Sequence, residues 1–215
     1  MEELLHATDR NGRYVKTANR SELLAEIRDY SRAHGDAPLA VPVVHIMLTG
    51  SDGRVRLVQR GAKPENPLMW DKTVGGHVVT ESWPIDRNAF HENARKELQE
   101  EVGIHQIVLA EDPVQYRLLS REGSVDFREK ALLRMVDYEP WQGSVSRVKN
   151  GESWLKRHNV ASYVGIFDGP FQFLDGEALA TRAMEKGELM IALKEKPWCY
   201  ADGLRVFMDR YYYFL

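Results

Sequence analysis

The chain has 215 residues, of which 43% are hydrophobic and 28% charged, and its formal net charge is −3. This composition is typical of a globular domain with one sizeable core, and its slight acidity argues against a nucleic-acid partner. The single cysteine, Cys199, excludes an internal disulfide. The first residues lack a secretory signal and no apolar run approaches the roughly 20 residues of a membrane span, so we expect a cytoplasmic protein with no membrane partner.

The first part of the chain predicts an N-terminal extension, residues 1–36, made of a strand and a helix. The helix is amphipathic over residues 19–32, with Asn19 or Ser21 as its N-cap. Two strand-like runs then flank a Gly-Ser-Asp-Gly segment at 50–53, which is typical of a hairpin turn. The strands predicted in this part cover residues 43–49, 54–59 and 73–79.

The rest of the chain alternates predicted strands and helices around one long segment. Residues 139–159 are rich in Gly, Ser and Lys, and we interpret them as a long loop insertion. Asp202 is a candidate cap for the last helix. Strands are predicted at 116–119, 125–136 and 161–167, and helices at 175–186 and 202–212. We therefore predict a single domain over residues 1–215 of the α/β (α+β) class, with a sheet between helices.

The most informative pattern is RKELQEEVGI at residues 95–104, which follows the Gly-Gly-His segment at 75–77. On a helix, Glu97, Glu100 and Glu101 fall within about 100° of arc, so three oxygen ligands share one side. A bound Mg²⁺ or Mn²⁺ would remove their mutual repulsion, because these ions prefer carboxylate oxygens and share coordination with phosphates. The pattern therefore predicts a divalent-cation site for phosphate chemistry.

A solvated helix surface is the simpler interpretation of most glutamate-rich segments. Here Glu97 and Glu101 lie along the border of the predicted apolar stripe instead of opposite it, and Gly103 ends the helix. The stripe consists of Phe90, Ala94, Leu98 and Val102. Carboxylates at the edge of a buried face favour the metal site over a purely solvated surface.

These residues resemble the signature of the Nudix hydrolase family: Gly, five residues, Glu, seven residues, Arg-Glu-aliphatic, one residue, Glu-Glu, one residue, Gly-aliphatic. The second half matches, except that Lys96 stands where the family has Arg and so lacks a planar guanidinium. The resemblance implies an alpha/beta/alpha sandwich with a mixed sheet. It also implies that Lys96 orients the glutamates. The implied metal ligands are Glu97, Glu100, Glu101 and Gly76.

The first half of the signature departs from the family pattern. Gly76 and Lys96 are 20 positions apart, where the family has 14, so six residues are in excess. Glu81 most resembles the first signature glutamate, with residues 82–87 inserted after it, whereas strict register from Lys96 reaches the neutral Asn88. The position of the fourth family carboxylate is therefore occupied either by Glu81 or by the neutral Asn88. In either alignment the affinity or the geometry of the metal site is open to change.

Most of residues 1–135 resemble the branch of the family that contains isopentenyl-diphosphate isomerase and its hydrolase relatives. In the isomerase a cysteine does proton chemistry at the position that matches Gly75, so we favour hydrolysis for this chain. The resemblance implies that Arg60 and Lys63 bind a diphosphate, although exposed loop cations commonly bind only water. It also matches His77 to a metal-binding histidine, although in hydrolases of this kind the residue after the two glycines often has no such role.

Three other features of the sequence bear on binding. Gly75 and Gly76 would let the backbone approach a metal or phosphate closely, because no Cβ blocks the path. His45 lies inside an apolar run and is expected to be a hydrogen-bonded interior histidine. The aromatic residues that could sandwich a base are Trp70, Phe171 and Trp198.

The predicted function is a Mg²⁺- or Mn²⁺-dependent hydrolase that cleaves a phosphoanhydride bond in a nucleoside-diphosphate-linked or related small molecule. Glu100 or Glu101 would take the proton from water, and Asp126 or Glu129 is an alternative base, although a surface strand charge is the simpler explanation of those two. A Nudix-fold nucleotide-binding or regulatory module without turnover is the main alternative, and an isopentenyl-diphosphate isomerase is the second. The resemblance also implies a homodimer.

Overall fold

A computed structural model describes residues 3–80, 83–121, 123–148, 151–173 and 176–215. The helices in this part of the chain are α1 (Arg20–His34), α2 (Arg87–Val102), α3 (Pro113–Arg121), α4 (Lys186–Glu195) and α5 (Asp202–Tyr211). The strands are β1 (Leu4–Thr8), β2 (Tyr14–Asn19), β3 (Ala40–Thr49), β4 (Val55–Arg60), β5 (Trp70–Asp71), β6 (Val74–His77), β7 (Gln106–Ala110), β8 (Lys130–Arg147), β9 (Ser153–Ile166) and β10 (Ala178–Met184). None of the described helices is long and apolar enough to cross a bilayer.

The strands form one mixed sheet, with the order β10-β4-β3-β9-β8-β7. β3 runs parallel to β9 and β7 parallel to β8, whereas β8 and β9 form a long antiparallel pair. β1 and β6 both pair with β3, β2 pairs with β1, and β5 pairs with β4. The α/β class with a mixed sheet, predicted from the sequence, is confirmed.

β3 lies at the centre of the fold and is buried at all 10 of its positions. Successive side chains of a strand point to opposite faces, so both faces of β3 need a cover. Val44, Ile46 and Leu48 pack in the core that contains the apolar stripe of α2. On the other face, Met47 packs in the core formed with α4 and α5. The sheet therefore lies between helices, with α2 alone on the face that matters for the site.

Three local predictions from the sequence are confirmed. Oδ1 of Asn19 accepts a hydrogen bond from the Ser21 amide at 2.9 Å and caps α1, whose side chains Leu23 and Ile27 are buried. Gly103 ends α2 in the left-handed conformation with φ 71°, which glycine adopts without a steric penalty. The turn at 50–53 joins β3 to β4, and its first and last residues are hydrogen-bonded at 3.0 Å.

The strand predicted at 116–119 is wrong, because those residues belong to the helix α3. The missed signal is a helix start: Oδ1 of Asp112 accepts hydrogen bonds from the amides of Val114 and Gln115 at 2.7 and 2.9 Å, and Pro113 is the first helical residue. The next predicted strand, 125–136, begins only at Lys130.

The loop insertion predicted over 139–159 is also wrong. β8 runs to Arg147 and β9 begins at Ser153, and the two pair from Glu139↔Val160 to Arg147↔Ser153. Trp154 is 3% exposed and packs in the core formed by α1 and β1, so the hairpin is tied to the rest of the molecule. Residues 149 and 150 lie outside the described residues.

The helix predicted over 175–186 is replaced by strand β10, while residue 175 lies outside the described part. β10 pairs with β4 along most of its length, and this sheet edge overrides the helical propensity of an Ala- and Arg-containing segment. The final helix α5 is confirmed, but Asp202 is not its cap. Ala201 holds that position, and Oδ2 of Asp202 instead accepts a hydrogen bond from the Val145 amide of β8 at 2.9 Å.

Candidate active site

A cleft of about 440 Å³ opens beside β6, between α2, the start of α1 and the β8–β9 hairpin. Its wall is more polar than apolar, unlike a typical site for a drug-like molecule. Ten of the residues singled out in the sequence line this one cleft: His45, Arg60, Lys63, Gly75, Gly76, His77, Lys96, Glu97, Glu100 and Glu101. Side chains from four segments far apart in the sequence therefore meet in one place.

Helix α2 is fixed at both ends, and this sets the position of its glutamates. Asp86 caps its start by accepting a hydrogen bond from the Ala89 amide at 2.8 Å, and Gly103 ends it. Its apolar stripe is buried under the sheet. Glu97, at the border of that stripe, is consequently half-buried, whereas Glu100 on the outer side is exposed.

The carboxylate of Glu97 lies directly against the backbone of Gly76. A Cβ on Gly76 would lie 2.0 Å from Cδ of Glu97 and 2.2 Å from Oε2. Carbon atoms in contact are about 3.5–4.0 Å apart, so no side chain fits at Gly76 while Glu97 keeps this position. The close approach expected of this glycine is thus made by a carboxylate of the same chain, which explains the residue type.

Burial is the main cause of the unusual electrostatics of Glu97. Loss of hydration raises the pKa of Glu97, the nearby ammonium of Lys96 acts against this rise, and the charge of Glu100 adds to it. The amide nitrogen of Asn93, itself buried, donates to Oε1 of Glu97 at 3.5 Å, which is a weak contact. A cation beside Glu97 would supply the compensation that these neighbours provide only in part.

Lys96 forms an ion pair with Glu100, one of the predicted metal ligands. Its ammonium lies 3.6 Å from Oε2 of Glu100, and both side chains are about half exposed, so the pair contributes little to stability. Within the described residues, His, Cys, Asp and Glu side chains do not converge closely enough in groups of three to enclose a cation. Cation binding would therefore require rotation of the glutamate side chains, which the exposed Glu100 can make freely.

The basic side of the cleft is built around Asp71, which the sequence analysis missed. Asp71 is 5% exposed and accepts a hydrogen bond from Arg60 at 3.2 Å and one from the ammonium of Lys72 at 3.3 Å. Burial acts to raise the pKa of Asp71, but Lys72 and Arg60 outweigh it and hold this pKa below its usual value. Lys63 forms an ion pair with Glu177 at the rim. Asp71 thus fixes two cations on the floor of the cleft.

His45, His77 and His158 form a group on the cleft wall. The ring of His158 lies 6.3 Å from that of His45 and 6.4 Å from that of His77, measured between centroids. Burial lowers the pKa of His77 to about 3 and also lowers the pKa of the other two, with Lys72 and Lys156 adding to the effect. Nδ1 of His45 has no hydrogen-bond partner among the described residues. The interior position expected of His45 is confirmed, but a hydrogen bond at Nδ1 is not found.

Lys156 and His158 were missed because they fell in the segment interpreted as a loop. In β9, Trp154, Lys156 and His158 are two residues apart and so point to the same face. No period-two alternation marks this stretch in the sequence, because Trp154 and Leu155 are both apolar and the next four residues are all polar. Asp71 and Lys72 carried no signal either, because their role depends on the pairing of β4 with β5.

Two predicted carboxylates, Asp126 and Glu129, are not brought to the cleft. Asp126 and Glu129 precede β8, whereas the cleft is lined by residues 144–146 near the other end of that strand. Oδ1 of Asp126 caps a local turn by accepting from the Arg128 amide at 3.0 Å. The structure therefore gives neither residue access to the site. Glu81 lies outside the described residues.

The aromatic residues considered for stacking on a base also lie elsewhere. Phe171 stacks on Phe167 in the α2 core at 6.1 Å, beneath the guanidinium of Arg56. Trp70 packs in the core of α4 and α5, and Trp198 is exposed away from the cleft. Among the described residues that line the cleft there is no Phe, Tyr or Trp.

Comparison with known proteins adds a family and a fold. Among solved structures, the chain resembles DR0079 from Deinococcus radiodurans with a TM-score of 0.62 and 14% identity, over 97% of this chain and 98% of that chain. It is also similar to the MutT protein from Methanosarcina mazei Go1, with a TM-score of 0.48 and 14% identity over 80% and 91% of the two chains. The NUDIX domain of Shewanella oneidensis NrtR, complexed with ADP ribose, matches with a TM-score of 0.46 and 13% identity over 89% and 96%. No curated protein matches the chain.

The first of these structures supports the fold alone, given its low identity. The family assignment rests on the NUDIX domain model, which matches residues 39–171 and so covers more than half of the chain. That range includes β3, the two glycines of β6 and the whole of α2. The sandwich with a mixed sheet, implied by the signature, is confirmed, and the chain belongs to the NUDIX domain family.

Proposed function

We propose that this chain is a hydrolase that cleaves a phosphoanhydride bond in a small-molecule diphosphate, with Mg²⁺ or Mn²⁺ as its cofactor. The observation that carries the proposal is the Glu97 carboxylate seated on Gly76, with Glu100 and Glu101 in the same cleft as Arg60. Acidic groups that repel each other and a basic group for the diphosphate lie side by side. Membership of the NUDIX domain family supports pyrophosphate chemistry for this arrangement.

The donor set fits a hard divalent cation. Glu97, Glu100, Glu101 and the backbone of Gly76 offer only oxygen ligands, which Mg²⁺ and Mn²⁺ prefer, and burial raises the pKa of Glu97, a cost that a bound cation would offset. When bound, the cation would neutralise charge on the phosphoryl oxygens and acidify a water molecule. Lys96 would hold Glu100 in place through the ion pair between them.

The side chains divide the remaining work by charge. Arg60, held by Asp71, and Lys63 would bind the diphosphate and orient it for in-line attack. Glu100 or Glu101 would accept a proton as the oxygen of water bonds to one phosphorus atom. The bond from that phosphorus to the bridging oxygen then breaks, and the bridging oxygen leaves with the electron pair on the released phosphate.

The two alternatives to hydrolysis are isomerisation of the substrate and binding without turnover. Isomerisation is disfavoured because Gly75 offers no acid or base, and Cys199 lies in a separate pocket with α4; the likeness to the isomerase branch stays a prediction. A binding module without turnover is favoured by Lys96, which holds Glu100 by an exposed ion pair, and by the six residues in excess between Gly76 and Lys96. A homodimer and a cytoplasmic location stay predictions as well.

A substrate panel separates hydrolase from binding module. Nucleotide sugars, dinucleotides, ADP-ribose, sugar diphosphates and nucleoside triphosphates are each incubated with the protein and Mg²⁺, Mn²⁺ or EDTA, and released phosphate or monophosphate is measured. We expect turnover of at least one diphosphate with a cation and none in EDTA. Ligand binding by calorimetry without any turnover would overturn the proposal in favour of the binding module.

A further inference from the structure

The cleft continues past β6 into a group of histidines that the proposed hydrolysis does not use. His45 and His158 are each 7% exposed and His77 is partly buried, and all three line the cleft. Nδ1 of His45, Nδ1 of His158 and Nε2 of His77 are buried without a hydrogen-bond partner. Nine buried polar atoms of the described residues lack a partner, and four of them, with Arg60 Nε as the fourth, belong to side chains that line this cleft. Because buried polar atoms are usually paired, this concentration makes the cleft a candidate for a polar ligand.

The charges nearby decide between a cation and an anion as that ligand. Neutral imidazoles ligate transition metals, but the ammonium groups of Lys72 and Lys156 act on the same rings and would repel a dication. Each neutral ring also carries one N–H that it can donate to an oxyanion. The chemistry of the group therefore favours an anion over a metal.

The balance of charge around the histidines agrees with this choice. Lys72 is 8% exposed and pairs with Asp71, which it shares with Arg60, while Lys156 pairs with Glu65. Three cations thus face two carboxylates, which leaves one positive charge in excess beside the neutral rings. A phosphate group placed there would receive both N–H donors and charge-assisted hydrogen bonds.

The position of the histidines relative to the glutamates indicates how a substrate would reach both. Successive residues of β6 point to opposite faces. Gly76 faces Glu97, whereas Gly75, on the other face, approaches Lys72: a Cβ there would lie 2.8 Å from Cε of that side chain. His77 lies on the same face as Gly75. A molecule whose diphosphate lies at the glutamates would therefore need a second anionic group to occupy the histidine side.

We propose that His45, His77 and His158, with Lys72 and Lys156, form a subsite for a phosphate monoester of the substrate, distinct from the diphosphate that is cleaved. The substrate class is then a sugar or polyol diphosphate that carries a separate phosphate. The lack of Phe, Tyr and Trp among the described lining residues agrees with a substrate that has no aromatic base. This inference rests on the proposed hydrolysis for its diphosphate end, but the subsite is testable by itself.

The first experiment measures binding without any divalent cation. Inorganic phosphate and ribose 5-phosphate are titrated in EDTA into the wild type and into His158→Phe, which keeps a ring but removes both nitrogens. We expect saturable binding by the wild type and a Kd at least about tenfold higher in His158→Phe, as for the loss of a hydrogen bond to a charged group. His158→Gln, which retains an N–H donor, should recover most of the affinity.

The matched control is His105→Phe, because His105 is exposed and outside the cleft. It should bind phosphate like the wild type, and thermal unfolding would show that each variant is folded. Absence of phosphate binding in the wild type, or equal Kd values in wild type and folded His158→Phe, would overturn the subsite.

The second experiment uses the wild type alone, so it holds even if His158→Phe fails to fold. Ribose 1-diphosphate is compared with its 5-phosphorylated form and with ADP-ribose, in Mg²⁺ and in Mn²⁺. We expect kcat/KM to be at least about tenfold higher for the 5-phosphorylated compound than for either of the others; equal values would overturn the inference. Hydrolysis of other panel members but of none of these three would also overturn the inference. If neither these compounds nor any member of the panel is hydrolysed, the proposed function fails, and phosphate binding in EDTA still decides the subsite.

Discussion

Replacement of Gly76 by alanine tests the contact on which the proposed site depends. The new Cβ would lie 2.0 Å from Cδ of Glu97, against about 3.5–4.0 Å for carbon atoms in contact, so the carboxylate must withdraw by roughly 1.5–2 Å. Displacement of a catalytic group by about 1 Å costs on the order of a hundredfold in rate. Because the half-buried carboxylate can swing toward solvent, we expect the free energy of unfolding to fall by no more than about 2 kcal/mol.

The assay follows phosphate release with the best substrate of the panel, and calorimetry follows Mg²⁺ or Mn²⁺ uptake. Gly76→Ala should lose at least about a hundredfold in kcat and bind the cation more weakly. The double variant Gly76→Ala/Glu97→Ala relieves the clash, so it should regain stability without regaining activity. Gly187→Ala in α4 is the matched control, since no atom lies within 4 Å of its new Cβ. If Gly76→Ala has the same turnover and cation affinity as the wild type, the role of this contact is refuted.

Four further predictions use other groups of the cleft. Glu100→Gln should lower kcat at least about a hundredfold at an unchanged melting temperature, while Glu92→Gln, exposed on the same helix, should match the wild type in a parallel assay. Glu97→Gln should raise the melting temperature at pH 7 in EDTA, because burial raises the pKa of this carboxyl and ionised Glu97 therefore destabilises the fold. Asp71→Ala should cost about 3 kcal/mol in urea unfolding, and since the folded pKa of Asp71 is depressed, its contribution should be present above the unfolded value and vanish as pH falls through the folded one. With a pKa of about 3, His77 should stay neutral from pH 8 to pH 5, and an NMR titration that shows protonation in this range would contradict it.

Local signals in the sequence predicted those parts of the fold whose determinants lie close together in the chain. The cap at Asn19, the turn at 50–53 and the glycine at the end of α2 each depend on a few neighbouring residues. Where a segment takes its structure from a distant partner, prediction failed. β10 is a strand because it pairs with β4, and residues 139–159 form a hairpin because Trp154 packs against the core of α1.

The sequence by itself determined the acidic half of the candidate site and the family. Glu97, Glu100 and Glu101 share one side of a helix whatever surrounds it, because helical geometry places residues three and four apart together. Only the tertiary structure decided the other half. Asp71, Lys72, Lys156 and His158 meet in the cleft because strands distant in sequence pair within one sheet, and the charge of such a group depends on distances that no local pattern encodes.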